Sequence, residues 1–154
     1  MDYKVGNVNS VIKAVKHLGY SPVFSNQLKE IQESEAIILP GQGSFDYAMD
    51  QIDKLSVKEK IYNHVQKGKK LLGICLGMQI LASKGYENNK KTIGLNLIKG
   101  EVVKFKSKNI KLPHIGWSEV KQVADDMLFK DIDNKSDFYH CHSYIFKTKD
   151  KKNI

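Results

Sequence analysis

Apolar residues recur at helical spacing through Val8, Val11, Ile12, Val15 and Leu18, with Asn7, Asn9 or Ser10 able to cap the start and Gly19 placed to end the run. This predicts an amphipathic helix. Pro22-Val23-Phe24 predicts a short strand, Leu28 to Glu33 a short helix, and Ala36-Ile37-Ile38-Leu39 a buried strand that stops at Pro40-Gly41. Ser56 and Glu59 form a capping-box pattern, and Val57, Ile61 and Val65 are evenly spaced before Gly68, which predicts a helix over 57–67 with one buried stripe. Leu71-Leu72-Gly73-Ile74 predicts a further buried strand, followed at once by a helix over Met78 to Lys84. Strands alternating with helices imply an α/β fold: an open, mostly parallel sheet with helices on both faces. Beyond Gly85 the pattern changes, and Val102 to Phe105, Trp117 to Val120 and Phe138 to Phe146 predict strands with little helix between them, an antiparallel extension. No repeat or low-complexity linker interrupts the chain, so a single domain over 1–154 is expected.

Composition narrows the function classes. The longest nearly apolar stretch, Leu71 to Ala82, is well short of the roughly 20 residues a bilayer span needs, so no membrane helix is expected. The first residues show no basic start followed by an apolar run, and a cytoplasmic protein is expected. In that compartment a disulfide between Cys75 and Cys141 is not expected. The formal charge is +8, but all 25 basic residues are lysine. Without arginine for bidentate contacts, the charge reads as a solvated surface rather than a nucleic-acid site.

The chemistry concentrates at two strand ends. Gly73-Ile74-Cys75-Leu76-Gly77 places a cysteine in a sharp turn flanked by glycines, where small residues let the backbone turn and a following helix N-terminus favours a thiolate. The turn pattern alone fits both an exposed nucleophile and a small cysteine packing at a strand end. Pro40-Gly41-Gln42-Gly43-Ser44 follows its own buried strand, and parallel strands end at one edge, so the two loops are expected to be neighbours. Acyl transfer needs backbone N–H groups aimed at the oxyanion; the glycines allow close approach of the main chain, and the amide of Leu76 is a natural second donor. By itself, Pro-Gly-x-Gly is also ordinary turn punctuation.

Asp2-Tyr3-x-x-Gly6-Asn7, Leu39-Pro40-Gly41-x-Gly43-Ser44-Phe45 with Ala48-Met49, Leu72 to Gln79, Pro113-His114-x-Gly116-Trp117 and His142-Ser143-Tyr144 occur in that order. With these segments the chain resembles the glutaminase subunits of imidazole glycerol phosphate synthases, class I (triad) glutamine amidotransferases, over essentially its whole length. The resemblance implies that Cys75 forms a glutamyl thioester and that the released ammonia passes to a cyclase partner of barrel fold in histidine biosynthesis. It implies an oxyanion site at Gly41, Gln42 and Leu76, a glutamine pocket of Gly43, Gln79, Glu87, His142 and Ser143, and a cyclase-facing set of Asn7, Ser10, Ile115 and Trp117. No cofactor is implied. Glu87 suits the substrate's ammonium group or is a solvated loop glutamate, and Trp117 is an interface or a core aromatic.

The sequence also departs from the family pattern. The family completes its triad with a His-Pro-Glu segment, and none of His17, His64, His114, His140 or His142 is followed by Pro-Glu. A fragment or abbreviated form, poorly active by itself, is therefore expected. Gln42 stands where a small apolar residue is usual, which fits a paralogue supplying ammonia for surface-polysaccharide sugar amidation, or a neutral change in a loop that acts through its backbone. His140 and His142 share one strand face with Cys141 on the other, so a metal site would need a third ligand, His114 being the candidate; no metal is expected. Two further readings stay open: a non-catalytic synthase-binding module, and a cysteine hydrolase acting on another amide or ester.

Overall fold

The computed structural model describes residues 1–106 and 111–150. In chain order the elements are α1 (Val8–His17), α2 (Leu28–Glu33), β1 (Ala36–Leu39), α3 (Phe45–Lys54), α4 (Lys58–Gln66), β2 (Lys70–Gly73), α5 (Leu76–Gln79), β3 (Ala82–Glu87), β4 (Lys90–Ile93), β5 (Ile98–Lys104), β6 (His114–Glu119), a 3-10 turn (Met127–Phe129), β7 (Asp137–His142) and β8 (Tyr144–Thr148). The fold is mixed α/β with open sheets. β1 and β2 pair in parallel, β4-β3-β5-β8 form a four-stranded sheet, and β6 and β7 form an antiparallel ribbon. Among the described residues no helix is long and apolar enough to cross a membrane.

The expectation of a mostly parallel sheet is corrected. β1–β2 and β3–β5 are parallel, whereas β3–β4, β5–β8 and β6–β7 are antiparallel, the last two being the antiparallel extension expected beyond Gly85. The change begins where a helix over Met78 to Lys84 was predicted: α5 is a single turn, and Ala82–Glu87 is strand β3. Gly85 weakens a helix there, and Asn88 and Asn89, both at positive φ, close a two-residue hairpin to β4 of the kind that Asn favours. A chain committed to that hairpin cannot continue the helix. Pro22-Val23-Phe24 is not a strand, having no partner strand to complete its backbone hydrogen bonds. The stretch Phe138 to Phe146 is two strands broken at Ser143.

The core explains why the remaining elements hold. Leu39 of β1, Phe45, Ala48 and Ile52 of α3, Val57 just before α4 and Ile61 within it, Leu76, Ile80, Leu95 and Val102 are almost completely enclosed. Phe45 fills the space above β3, where a Cβ on Gly85 would come within 2.7 Å of its ring. α4 is helical as expected, but the capping box does not form: Ser56 adopts φ 51 and the N-cap is Val57, with no side-chain cap bond. Its buried stripe runs through His64, whose Nε2 is 3.0 Å from the Lys70 carbonyl oxygen, with Val65 only half-buried. α1 forms where the periodicity places it but buries no residue, its apolar face being half-covered.

Candidate active site

The site is built where β1 and β2 end side by side. Ile74 N–H donates to the Leu39 carbonyl at 2.9 Å, carrying the parallel pairing one step into the loops. The chain then reverses sharply: Gly77 N–H donates to Ile74 O at 2.9 Å, closing the turn Ile74-Cys75-Leu76-Gly77. Cys75 takes φ 55 and ψ −116, the dihedral pair of the first central residue of a type II′ turn, a place normally given to glycine. A non-glycine residue held there is strained by about 1–3 kcal/mol, and such residues cluster at functional sites. The thiol is exposed and unpaired. The same turn leaves the amide of Leu76, the first residue of α5, without an intrahelical acceptor.

Three glycines make this turn possible. A Cβ on Gly77 would overlap the Leu39 carbonyl oxygen, one on Gly73 would fall 2.5 Å from Met78 Cα, and one on Gly41 would overlap the Gly77 amide. The Gly41 contact presses the Pro40–Gly43 loop, backbone on backbone, against the residues after Cys75, as the sequence predicts. On its other side that loop meets Gly6, whose added Cβ would lie 3.0 Å from Gly41 N. Tyr3 locks the same junction. Its ring is buried and its hydroxyl donates to the Pro40 carbonyl. Burial first, and the nearby Cys75 second, raise the Tyr3 pKa well above the usual phenol value. The residue pattern gives no independent warning of this role; Tyr3 enters only as part of the Asp2-Tyr3-x-x-Gly6-Asn7 segment.

Among the expected oxyanion residues, Gly41 is half-buried, Gln42 exposed and the Leu76 side chain buried. Of the expected pocket residues, Gly43 lies on the exposed loop surface at φ 118. Glu87, at the end of β3, accepts the Phe45 N–H on Oε2 at 2.7 Å. It thus fixes the loop after Gly43 and places a carboxylate at the N-terminus of α3, where the helix dipole favours it. Gln79 Nε2 donates to the Tyr144 carbonyl at 3.2 Å, and His142 Nδ1 lies 3.1 Å from the same oxygen. The Tyr144 carbonyl therefore brings His142 and Gln79 together, with Ser143 between the strands holding Phe105 N–H on its own carbonyl at 2.9 Å. α5 is a single turn, shorter than the helix expected after the cysteine. Among the described residues no histidine is hydrogen-bonded to Cys75.

The histidines gather elsewhere. On the β6–β7 ribbon His114 faces His142 and Gly116 faces His140, and imidazole nitrogens of the three lie within 4.8 Å of one another. The third nitrogen that the sequence reading required is thus supplied by His114. Desolvation, then the neighbouring His142 and His114, lower the pKa of His140 and favour its neutral form. The opposite face of the ribbon carries Ile115, Trp117 and Tyr139, with Trp117 71% exposed and in edge contact with Tyr139 at 5.6 Å between ring centroids. Trp117 is therefore not a core aromatic. Asn7 and Ser10 are exposed at the start of α1.

This geometry agrees with the comparisons to known proteins. A family model described as glutamine amidotransferase class-I matches residues 1–154. The chain is 44% identical over 153 residues to the imidazole glycerol phosphate synthase subunit HisH 1 of Campylobacter jejuni, covering 98% of this chain and 76% of that relative. It is 42% identical over 151 residues to the HisH subunit of Caldanaerobacter subterraneus, covering 98% of this chain and 73% of the relative. A solved structure described as a crystal structure of glutamine amidotransferase superposes with a TM-score of 0.70 at 15% identity, over 96% of this chain and 72% of that one, a likeness of fold alone. A cysteine in a strained strand-to-helix turn, a glycine loop packed against it and this extent of sequence identity lead to one assignment: the chain belongs to the class I glutamine amidotransferases and is HisH-like.

Proposed function

We propose that these 154 residues bind glutamine beside Cys75, form the glutamyl thioester there, and dock a cyclase of barrel fold that takes up the ammonia. The observation that carries this reading is the conformation of Cys75, an exposed thiol at φ 55 with the Gly41 loop packed against the amide side of its turn. Attack of the thiolate on the side-chain carbonyl puts negative charge on oxygen, next to the Leu76 amide and the Gly41–Gln42 backbone. Collapse of that intermediate expels ammonia, and water releases glutamate from the thioester. Glu87 keeps one carboxylate oxygen beyond the Phe45 N–H for the substrate ammonium, while Gln79, His142 and Ser143 form the opposite wall. Ile115, Trp117, Asn7 and Ser10 present the docking face, supported by the exposure of all four. The names of the relatives support imidazole glycerol phosphate synthesis as the use of the ammonia.

These residues hold no His-Pro-Glu segment, and among the described residues no histidine is hydrogen-bonded to Cys75, so none of the histidines stands as its base. Turnover is accordingly slow, by several orders of magnitude for a unit that lacks one of its members. Glutamate release by the purified chain tests both parts. The expected result is a slow rate that disappears in Cys75→Ala. A rate typical of a complete triad enzyme contradicts the missing base, and release unaffected by Cys75→Ala contradicts the site. Titration against the cyclase barrel separates docking from chemistry, since a non-catalytic module binds the barrel without any Cys75-dependent release.

A further inference from the structure

We propose that His114, His140 and His142 form a binding site for a single divalent ion of the zinc type on the β6–β7 ribbon. Strand alternation puts His114, Gly116 and Ser118 of β6 on one face, opposite His142 and His140 of β7. Gly116, facing His140, leaves open space beside the rings; a Cβ there would meet nothing within 4 Å.

The hydrogen bonds on the outer side of two rings direct the inner nitrogens. His142 Nδ1 is 3.1 Å from the Tyr144 carbonyl, which only accepts, so Nδ1 carries the proton and Nε2 offers its lone pair inward. His114 Nε2 is 3.2 Å from the Ser118 hydroxyl oxygen, which can accept from it; in that tautomer Nδ1, 3.4 Å from His142 Nε2, has its lone pair free. An ion bound tetrahedrally at roughly 2.0–2.1 Å from each imidazole spaces the nitrogens by about 3.3 Å. The His114–His142 pair already has that spacing.

A proton shared between His114 and His142 satisfies those two rings without an ion. It does nothing for His140, whose Nε2 is enclosed and has no hydrogen-bond partner among the described residues. An ion uses all three. The three ligand nitrogens lie within 4.8 Å of one another, so the pairs involving His140 need close by no more than about 1.5 Å to reach tetrahedral spacing, a side-chain adjustment. Neutral imidazoles in this number suit zinc, with water in the fourth position. Cys141 points to the opposite face of the strand and is not a ligand. This assignment does not depend on the glutaminase reading.

The test is calorimetric titration of Zn²⁺ into the chelator-washed chain, with Cys75→Ser/Cys141→Ser as the thiol-free reference. One equivalent is expected to bind both proteins alike. His140→Gln is expected to abolish that equivalent, and Ser118→Ala, which removes the group orienting His114, to weaken it about 10- to 100-fold. Cobalt absorption of the unmodified chain provides a readout independent of any variant's folding: d–d bands without thiolate charge transfer are expected. No stoichiometric zinc, zinc lost with the thiols, zinc retained by His140→Gln, or a thiolate band on cobalt overturns the proposal.

Discussion

Replacing Cys75 by glycine and by alanine separates backbone strain from thiol chemistry. Both variants remove the same sulfur from an exposed position, so lost packing is similar and small. At φ 55 and ψ −116 alanine keeps the strain of about 1–3 kcal/mol, whereas glycine adopts the conformation freely. Glycine also widens the unfolded ensemble, which costs about 0.4–1 kcal/mol relative to alanine. The difference leaves Cys75→Gly more stable than Cys75→Ala by about 1.3 kcal/mol at the middle of these ranges and by up to about 2.6 kcal/mol, reversing the usual order of these residues. For a chain of this size the mid-range difference is roughly 3–5 °C in Tm, or a matching shift of the urea midpoint at constant slope. Thermal and urea unfolding followed by circular dichroism measure it. If Cys75→Ala is as stable as Cys75→Gly or more so, the turn is not held in the strained geometry from which the nucleophile assignment is argued.

Other substitutions probe the surrounding contacts. Gly77→Ala drives a methyl group into the Leu39 carbonyl and is expected to cost at least about 1–3 kcal/mol and to abolish Cys75-dependent glutamate release, read by urea midpoint and by assay. Tyr3 has a folded pKa raised above its unfolded value of about 10, so its contribution is fully present below pH 10 and is lost as pH rises beyond it, at up to about 1.4 kcal/mol per pH unit. Tyr3→Phe is expected to be less stable at pH 7 by about 1 kcal/mol, through loss of the bond to Pro40, and to show a shallower alkaline decline in unfolding experiments. Trp117→Ala is expected to leave stability within about 0.5 kcal/mol, because the ring is exposed, and to weaken cyclase binding by about 2 kcal/mol in a titration.

The parts of the site written in local backbone grammar were legible in the sequence. Apolar runs ending in Pro-Gly and in Gly-x-Cys-x-Gly located β1, β2 and both loops, and parallel pairing made the loops neighbours, although β2 is half-exposed rather than buried as expected. The helix expected after Met78 was not found, because a helical apolar pattern from Met78 to Lys84 competes with a hairpin signal, Asn88-Asn89, that lies just beyond it. α3 lies in a stretch where no helix was predicted, although Phe45, Ala48, Met49 and Ile52 line its buried side. Ser56 and Glu59 have the spacing of a capping box, but Ser56 enters the left-handed region and the box cannot close. Long-range contacts were less legible. The roles of Tyr3 against Pro40, of Glu87 on the Phe45 amide and of Tyr144 joining Gln79 to His142 depend on segments that meet only in three dimensions.

The central claim is that Cys75 stands in a glutamine pocket. It is tested most directly by labelling the chain with a glutamine-analogue electrophile and locating the adduct by peptide mass spectrometry. The account predicts one adduct, on Cys75, that glutamine suppresses, while Cys141, also exposed, stays largely free. Equal labelling of both cysteines, or labelling of Cys75 that glutamine does not slow, contradicts it.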